Sequence, residues 1–414
     1  MSRALYSLTL YLLLPWALLH LVWRARQQPA YLEHVGERFG VFPNNMSSRV
    51  IWIHAVSVGE TRAAEPLIKA LQARHPEHRI LLSHGTPTGR QTGMDLYGDR
   101  VERCYLPYDF GWASRRFLRR FRPVVGVFVE TEIWPNLIRA SVHLGVPVYL
   151  VNARMSEKSA RGYRRIGKLT RDALSKLSGI GAQTDRDAQR LANLGAADVR
   201  ITGNIKFDRL APAEMLALGG ALRDSFGTRR PVFLAASTRE GEETMILDAL
   251  ANSKIPKLLT VIVPRHPQRF EEVAALVKQR GHKVQCRSEN RPIEADTRVV
   301  IGDSMGEMFA YYAACDVAFI GGSLLPLGGQ NLLEACAVGR PVIVGPHTFN
   351  FEDATHGAIE AGAAIRVSDA EELVSAIDQL LSDSNRRRAM SEAGKRFTDA
   401  HRGATEKTLR LLKW

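Results

Sequence analysis

The feature that most constrains this sequence is a repeated alternation of short Val- and Ile-rich runs with amphipathic stretches. Such alternation is typical of parallel sheets with helices between their strands. In the first half, strands are predicted at 50–56, 79–83, 101–107, 124–129, 146–151, 179–183 and 199–202. In the second half, they are predicted at 231–236, 258–263, 282–286, 297–301, 317–320, 341–344 and 364–367. The predicted fold class is therefore α/β, with one doubly wound architecture present twice.

The chain has 414 residues, which is too long for one ordinary hydrophobic core. The strand pattern breaks near 210–222, where Ala-Pro-Ala-Glu interrupts it. We therefore predict one domain over 27–212 and a second over 213–414, with 1–26 as a separate segment. In sheets of this kind, ligands bind outside the carboxyl ends of the strands, so the functional residues are sought there.

The first 26 residues contain an apolar run, 4–23, that has no Asp, Glu, Lys or Arg. A helix of this length spans about 30 Å, the hydrocarbon thickness of a bilayer. Arg24 and Arg26 follow it at once, which favours a cytoplasmic location for the remainder. Pro15 and His20 leave open a helix that lies in the membrane interface instead. We expect a membrane anchor, whereas a cleaved signal peptide fits poorly because no small-residue cleavage site follows.

Charge and cysteine content narrow the function further. The net charge of +13 indicates an anionic partner, which can be a phosphate group, a membrane surface or a nucleic acid. The four cysteines are far apart and form no CxxC or Cys/His cluster, so neither a zinc site nor a disulfide framework is indicated.

Glu60 is the first candidate for chemistry. It ends the stretch Ser57-Val58-Gly59-Glu60, directly after the strand predicted at 50–56. A carboxylate at this sheet edge can take a proton from an acceptor hydroxyl. The alternative is a first-turn glutamate stabilised by the helix dipole.

Two further strand ends carry charged residues. Glu130 and Glu132 follow the strand predicted at 124–129, and period-two alternation would aim both in one direction. Lys206 follows the last predicted strand of the first half and can stabilise negative charge on a substrate or leaving group. The alternatives are helix capping for the glutamates and an exposed linker position for the lysine.

In the second half, four successive strand ends carry glycine or cationic residues. Glycines at a strand-to-helix turn let backbone N–H groups and a helix N-terminus receive a phosphate. These segments indicate a nucleotide site, and Glu334 is placed to accept hydrogen bonds from ribose hydroxyls. They are 264–267, 302–307, 321–323 and 328–335.

Several catalytic patterns are missing from the sequence. It contains no P-loop, no HExxH and no GxSxG, and no DxD-like pair stands in a convincing place for a metal-dependent sugar-nucleotide enzyme. A P-loop NTPase, a zincin and a serine hydrolase are therefore not indicated.

Taken together, these motifs resemble the 3-deoxy-D-manno-octulosonic acid (Kdo) transferases of lipid A assembly, over nearly the whole chain. The segments that carry the resemblance are 31–40, 57–60, 106–109, 130–136, 152–154, 264–267, 305–307, 331–334 and 345–351. The resemblance implies a GT-B fold of two Rossmann-like domains, with the acceptor bound by the first and the donor by the second.

The same resemblance implies roles for individual residues. Glu60 would be the general base of an inverting transfer, with Glu130 and Lys206 assisting at the transition state. The donor CMP-Kdo would be held by Pro264, Arg265, Met305, Gly306, Glu307, Asn331, Leu332, Leu333 and Glu334. The acceptor would be a hydroxyl of a phosphorylated lipid A precursor at the inner membrane surface. No metal ion, other cofactor or nucleic acid is expected.

Two alternatives remain at this point. One is another GT-B enzyme, such as a UDP-sugar transferase or a nucleotide-sugar 2-epimerase, and donor selectivity would separate it. The other is a non-catalytic, membrane-tethered nucleotide-binding protein, which turnover would exclude.

Overall fold

A computed structural model describes residues 1–42 and 49–414. The chain forms two compact units. The first unit comprises Met1–Arg209 together with Arg402–Trp414, and the second comprises Leu210–His401. Each unit contains one sheet of seven parallel strands.

Every predicted strand is present, with ends shifted by a few residues at most. In the first unit the strands are β1 (Val50–His54), β2 (Arg79–His84), β3 (Glu102–Tyr105), β4 (Pro123–Val129), β5 (Val148–Ala153), β6 (Gly179–Ala182) and β7 (Val199–Ile201). In the second they are β8 (Val232–Thr238), β9 (Leu259–Pro264), β10 (Val284–Cys286), β11 (Val299–Ile301), β12 (Val317–Ile320), β13 (Val342–Val344) and β14 (Ala364–Arg366). The predicted α/β class is confirmed.

The helices cover the sheets, as parallel connections require. In the first unit they are α1 (Arg3–Gln27), α2 (Val58–Ala63), α3 (Glu65–Arg74), α4 (Pro87–Tyr97), α5 (Gly111–Phe121), α6 (Pro135–His143), α7 (Glu157–Arg165), α8 (Gly167–Leu174) and α9 (Asp185–Asn193). In the second they are α10 (Ala213–Phe226), α11 (Glu242–Leu250), α12 (Phe270–Gln279), α13 (Met308–Ala314), α14 (Leu333–Val338), α15 (Glu352–Glu360), α16 (Ala370–Ser382) and α17 (Ser384–Ala400). The last helix, α18 (Ala404–Leu411), returns to the first unit.

The strand orders show where each sheet reverses its direction of winding. The first sheet runs β3-β2-β1-β4-β5-β6-β7, and the second runs β10-β11-β9-β8-β12-β13-β14. The first sheet therefore reverses between β1 and β4, and the second between β8 and β12. Crevices at such reversals are the usual ligand sites of open α/β sheets.

The core of the first unit is built around β1, whose five residues are all buried. Trp52 packs edge-on against Phe117 and Phe128, with ring centroids 4.8 and 5.0 Å away. Gly126, on the neighbouring strand, leaves room for this indole, because a Cβ there would lie 2.9 Å from the Trp52 ring. Aromatic packing thus fixes the pairing of β1 with β4.

The C-terminal segment differs from the predicted domain boundary. We predicted that 213–414 would belong to one domain, but Arg402–Trp414 clusters with the first unit. Leu409, Leu411 and Leu412 are buried in the first unit's core. Apolar burial therefore places this segment, and strand periodicity carries no signal for it.

The apolar N-terminal run forms helix α1, as predicted. Its segment Arg3–Arg26 has a mean hydropathy of 1.7 in its most apolar window and is long enough to cross a membrane. The start of α1 also contacts the folded unit. The Tyr6 hydroxyl donates to Asp109 at 3.0 Å, and Ser7 lies within hydrogen-bonding distance of Asn136.

Candidate active site

Glu60 lies in the first turn of α2, directly after β1. Its carboxylate turns back toward the strand, where it accepts the Val56 backbone N–H at 2.5 Å and the Ser57 hydroxyl at 2.9 Å. These bonds cap the first turn and also hold the carboxylate at the carboxyl edge of the sheet. Glu60 therefore occupies the first-turn position of the helix-dipole alternative and the sheet-edge position that the general-base interpretation requires.

The environment of Glu60 suits a base that works near neutral pH. Burial raises the pKa of its carboxyl to about 7, and the negative charge of Glu130 adds to this increase. The bonds from Val56 and Ser57 and the positive charge of Lys206 oppose it. A general base is most effective when its pKa lies close to the working pH.

Glu130 follows β4, on the other side of the sheet reversal from Glu60. Its φ of 66° lies in the left-handed region, which non-glycine residues rarely adopt. Its carboxylate forms an ion pair with Lys206, with 2.7 Å between Nζ and Oε1. Strain at such a position is common where function requires a particular side-chain direction.

Lys206 lies in a short 3₁₀ helix, Ile205–Asp208, that follows β7. Asn152, at the end of β5, accepts the Ile205 backbone N–H at 3.0 Å. The Lys206 backbone N–H donates to the Asn204 side-chain oxygen at 3.0 Å, and its ammonium group pairs with Glu130, so the exposed-linker alternative is wrong.

Glu132 also lies near Glu60, but for a different reason than the alternation we expected. Strand β4 ends at Val129, and the left-handed conformation of Glu130 breaks the period of two. Trp134 Nε1 donates to Glu132 at 2.8 Å, and His54 Nε2 lies 3.9 Å from the same carboxylate oxygen. Burial and the charge of Glu60 raise the pKa of Glu132 to about 7.

His54 is a further polar residue of this edge that the sequence did not single out. It is fully buried, and burial lowers the pKa of its ring to about 4. Its Nδ1 lies 3.1 Å from the carbonyl oxygen and 2.9 Å from the hydroxyl oxygen of Ser83, and its Nε2 faces Glu132. The only sequence signal was a single histidine within the apolar run predicted at 50–56.

Asp109, from the motif at 106–109, has a structural role. Asp109 is buried and accepts the backbone N–H groups of Asn136 and Leu137, at 3.0 and 2.8 Å, which caps the start of α6. Burial raises the pKa of Asp109 to about 6. This cap fixes the start of α6, which directly follows the segment from Glu130 to Trp134.

In the second unit, Pro264 ends β9 and Arg265 follows it. The Arg265 guanidinium donates from Nε to the side-chain oxygen of Gln330 at 3.2 Å. Arg239 comes just after β8. Burial lowers the pKa of His266, and the nearby positive charges of Arg239, Arg265 and Arg269 lower it further. Arginine side chains therefore make this edge electropositive, and Arg239 is a contributor that the sequence reasoning missed, whereas Gln330 lies in the predicted segment 328–335.

The glycine turn after β12 is held by a buried carboxylate. Glu242 is fully buried and accepts the backbone N–H groups of Gly322 and Leu324 at 2.6 and 3.0 Å. A Cβ on Gly321 would lie 2.5 Å from the carbonyl oxygen of Ser237, so only glycine lets the two strand ends approach this closely. Gly322, with a φ of 70°, adopts the left-handed conformation that glycine tolerates best.

The segment Met305 to Glu307 follows β11. Met305 is 54% exposed, whereas Glu307 accepts the Ser304 hydroxyl at 2.6 Å and pairs with Arg287 at 3.4 Å. Gly306 has a φ of 86°, which again requires glycine. Met305 therefore presents its side chain to the surroundings, while Glu307 is held in place.

The last predicted donor-binding segment opens α14. Asn331 accepts the Leu333 backbone N–H at 3.1 Å and so starts the helix. The side chains of Leu332 and Leu333 are buried in the core, so only their backbone can meet a ligand. Glu334 lies in the first turn of α14, as the sequence indicated.

Family models match most of the chain, and two relatives are similar to it over its full length. Residues 33–209 match the family described as 3-deoxy-D-manno-octulosonic-acid transferase, and residues 232–397 match glycosyl transferases group 1. The Bordetella pertussis 3-deoxy-D-manno-octulosonic acid transferase is 44% identical, covering 100% of this chain and 99% of its own length. The Haemophilus influenzae protein of the same name is 37% identical, covering 100% and 98%.

Among solved structures, UDP-GlcNAc 2-epimerase from Neisseria meningitidis, bound to UDP-GlcNAc, has a TM-score of 0.60 at 14% identity. It covers 88% of this chain and 99% of its own. A likeness at this identity shows the fold alone, which is the GT-B fold of two Rossmann-like units. With the full-length similarity to the two curated relatives, it follows that this chain is a glycosyltransferase and belongs to the 3-deoxy-D-manno-octulosonic acid transferase family.

Proposed function

We propose that this enzyme transfers Kdo from CMP-Kdo to a hydroxyl group of a phosphorylated lipid A precursor, with inversion at the anomeric carbon and release of CMP. The observation that carries the proposal is the Glu60 carboxylate. It is held at the sheet reversal by Val56 and Ser57, with its pKa raised to about 7. The names of the full-length relatives support the identity of the transferred sugar.

In the proposed step, Glu60 takes the proton of the acceptor hydroxyl. At the same time, the oxygen of that hydroxyl forms a bond to the anomeric carbon of Kdo. The bond between that carbon and the phosphate oxygen of CMP breaks, and its electron pair leaves with CMP. A single base is sufficient, because direct displacement with inversion needs no covalent intermediate.

Lys206 and Glu130 assist this step in our proposal. The Lys206 ammonium places a positive charge beside the base, and its ion pair with Glu130 fixes the position of that charge. A preorganised charge of this kind stabilises the negative charge that develops as the leaving group departs.

The donor is assigned to the second unit. The cationic edge formed by Arg239 and Arg265 suits the single phosphate of CMP. A monophosphate needs less neutralising charge than a diphosphate, so arginine side chains are sufficient in this proposal. Met305, Gly306, Glu307 and the start of α14 complete the proposed donor site.

We further propose that α1 anchors the enzyme to the inner membrane with both units on the cytoplasmic side. The helix is long and apolar, Arg24 and Arg26 lie in its last turn, and Tyr6 and Ser7 at its start contact the first unit. A helix with these contacts fits an anchor that lies in the membrane interface, where its positive charges attract anionic lipid headgroups. Protease treatment of spheroplasts and of inverted vesicles tests this, since only inverted vesicles should expose the units.

The test of the activity is incubation of the purified protein with CMP-Kdo and a tetraacylated lipid A precursor, with products identified by mass spectrometry. We expect a mass increase of one or more Kdo units. The matched control is Glu60→Gln, which keeps the shape of the side chain but removes the base. A folded wild-type protein that transfers no Kdo yet accepts a UDP-sugar donor would overturn the proposed donor.

A further inference from the structure

Asp208 lies two residues after Lys206, in the same 3₁₀ helix. Its carboxylate accepts backbone N–H groups from a distant part of the chain. One oxygen accepts the Gly403 N–H at 2.7 Å, and the other accepts the Thr405 N–H. Both donors belong to the N-terminal end of α18, so this carboxylate caps that helix.

The segment that Asp208 holds is itself firmly packed. Leu409 and Leu411 of α18 are buried in the core of the first unit, and Leu411 lies against Gly179 of β6. Beyond the helix, the backbone N–H of Lys413 donates to the Tyr149 hydroxyl at 3.0 Å. Packing against the sheet therefore fixes the position of α18. The two bonds to Asp208 then fix the 3₁₀ helix Ile205–Asp208 relative to α18.

The turn that carries Lys206 needs such external ties. It spans only four residues. Within it, the Phe207 backbone N–H donates to the Asn204 carbonyl oxygen at 3.1 Å. Asn152 holds Ile205 from one side, and α18 holds Asp208 from the other. A single-turn helix has little stability of its own, so these two contacts, together with the burial of Ile205 and Phe207, hold the turn that carries the lysine.

The location of Asp208 along the chain adds a reason for the tie. The chain passes from the first unit to the second between Arg209 and Leu210, and it returns between His401 and Arg402. Asp208 is next to the first passage, and Gly403 is next to the second. The carboxylate therefore joins the two connecting segments within the first unit, two residues from Lys206.

We propose that Asp208 is a positioning residue for the transfer reaction, and that by capping α18 it holds the Lys206 ammonium against Glu130. This inference rests on the proposed role of Lys206 in assisting transfer. Asp208 acts only through Lys206, and it is not itself placed at the reacting atoms.

The first variant is Asp208→Asn, which keeps the side-chain size but can accept only through one oxygen. We expect kcat to fall about tenfold, as for the loss of a hydrogen bond to a charged group, with the KM for CMP-Kdo nearly unchanged. The matched control is Asp378→Asn in the second unit. Asp378 likewise accepts two donors, the Ser253 hydroxyl at 2.6 Å and the Lys254 N–H at 2.8 Å, and its loss should lower Tm but leave kcat unchanged.

A double-mutant cycle separates positioning from general destabilisation. Asp208→Asn should lower kcat in the wild-type background and have no further effect in a Lys206→Ala background. An equal loss in both backgrounds would overturn the proposal, because Asp208 would then act independently of Lys206. Wild-type activity of Lys206→Ala would instead overturn the proposed role of the lysine, and the positioning role with it.

A second readout does not need measurable activity in Lys206→Ala. The charged groups around Glu60 are Glu130, which raises its pKa, Lys206, which lowers it, and Glu132, whose own pKa is raised by the charge of Glu60. Displacement of Lys206 in Asp208→Asn should shift the rising limb of kcat/KM against pH to higher pH. Asp378→Asn should leave that limb in place. If Asp208→Asn does not fold, Asp208→Ser retains one hydroxyl acceptor and is measured instead. An unshifted limb in a folded variant would contradict the proposal.

Discussion

In the first unit, the residues at the sheet reversal are the carboxylates Glu60 and Glu130, whereas the second unit has Arg239 and glycines in the equivalent places. Both reversals lie between strands of the same kind of parallel sheet, flanked by buried apolar strands. This difference indicates that the sheet determines only where a functional site forms. The side chains at the strand ends then decide whether the location binds an anion or removes a proton.

The two reversals also share a feature of the backbone. Glu130 has a φ of 66° after β4, and Ser237 has a φ of 56° near the end of β8. Each unit thus holds a non-glycine residue in the left-handed region at the carboxyl edge of a central strand. Glu130 ends the pairing of β4, whereas Ser237 lies at a register shift in the pairing of β8 with β9. Such backbone conformations persist only where the surrounding structure holds them.

The largest expected effect concerns the carboxylate of the first unit. Glu60→Gln should lower kcat by about 10²- to 10⁴-fold, because the variant cannot take the acceptor proton. The affinity for CMP, measured by calorimetry, should stay at the wild-type value. Weakened CMP binding would contradict this prediction, because Glu60 would then contribute to donor binding as well as to proton transfer.

The matching change in the second unit is Arg265→Ala. We expect CMP to bind about tenfold or more weakly, because a charge-assisted contact to phosphate is lost. The same calorimetric titration measures this, with Arg386→Ala, an exposed residue of α17, as the control. Unchanged CMP affinity would remove Arg265 from the proposed donor site.

The glycines provide a comparison of backbone packing. Gly321→Ala should lower the free energy of unfolding by about 1–3 kcal/mol, because its Cβ would overlap the carbonyl of Ser237. Gly59→Ala should be neutral or slightly stabilising, since the nearest atom to its Cβ is 3.8 Å away and alanine favours the helix. Thermal unfolding of both variants tests this, and equal losses would contradict it.

The smallest expected effect is a shift in pH dependence. In the wild type, kcat/KM should rise with pH through about 7, as Glu60 loses its proton. Glu130→Gln removes a negative charge and should move the limb to lower pH, whereas Lys206→Met should move it to higher pH. Each shift should be no more than about one pH unit, which corresponds to about 1.4 kcal/mol. Shifts in the same direction would show that the two charges do not act on Glu60 as described.

Much of the candidate site follows from local sequence rules. Glu60 follows an apolar strand and opens a helix, so its place at the sheet edge was predictable from chain order. Gly321 and Gly322 likewise follow β12, where a turn must form. The position of Glu132 was predicted from strand alternation, which does not apply because β4 ends at Val129, before Glu132. His54 gave too little signal, since a single polar residue in an apolar run has many structural explanations.

The sequence by itself determined the α/β class, all fourteen strand positions to within a few residues, the apolar N-terminal helix and the family. These properties depend on periodicity and on motifs, which are local. Only the tertiary structure decided that Lys206 pairs with Glu130, that Asp208 caps α18, and that Arg402–Trp414 belongs to the first unit. Each of these contacts joins residues far apart in the chain, and burial of apolar surface is what brings them together.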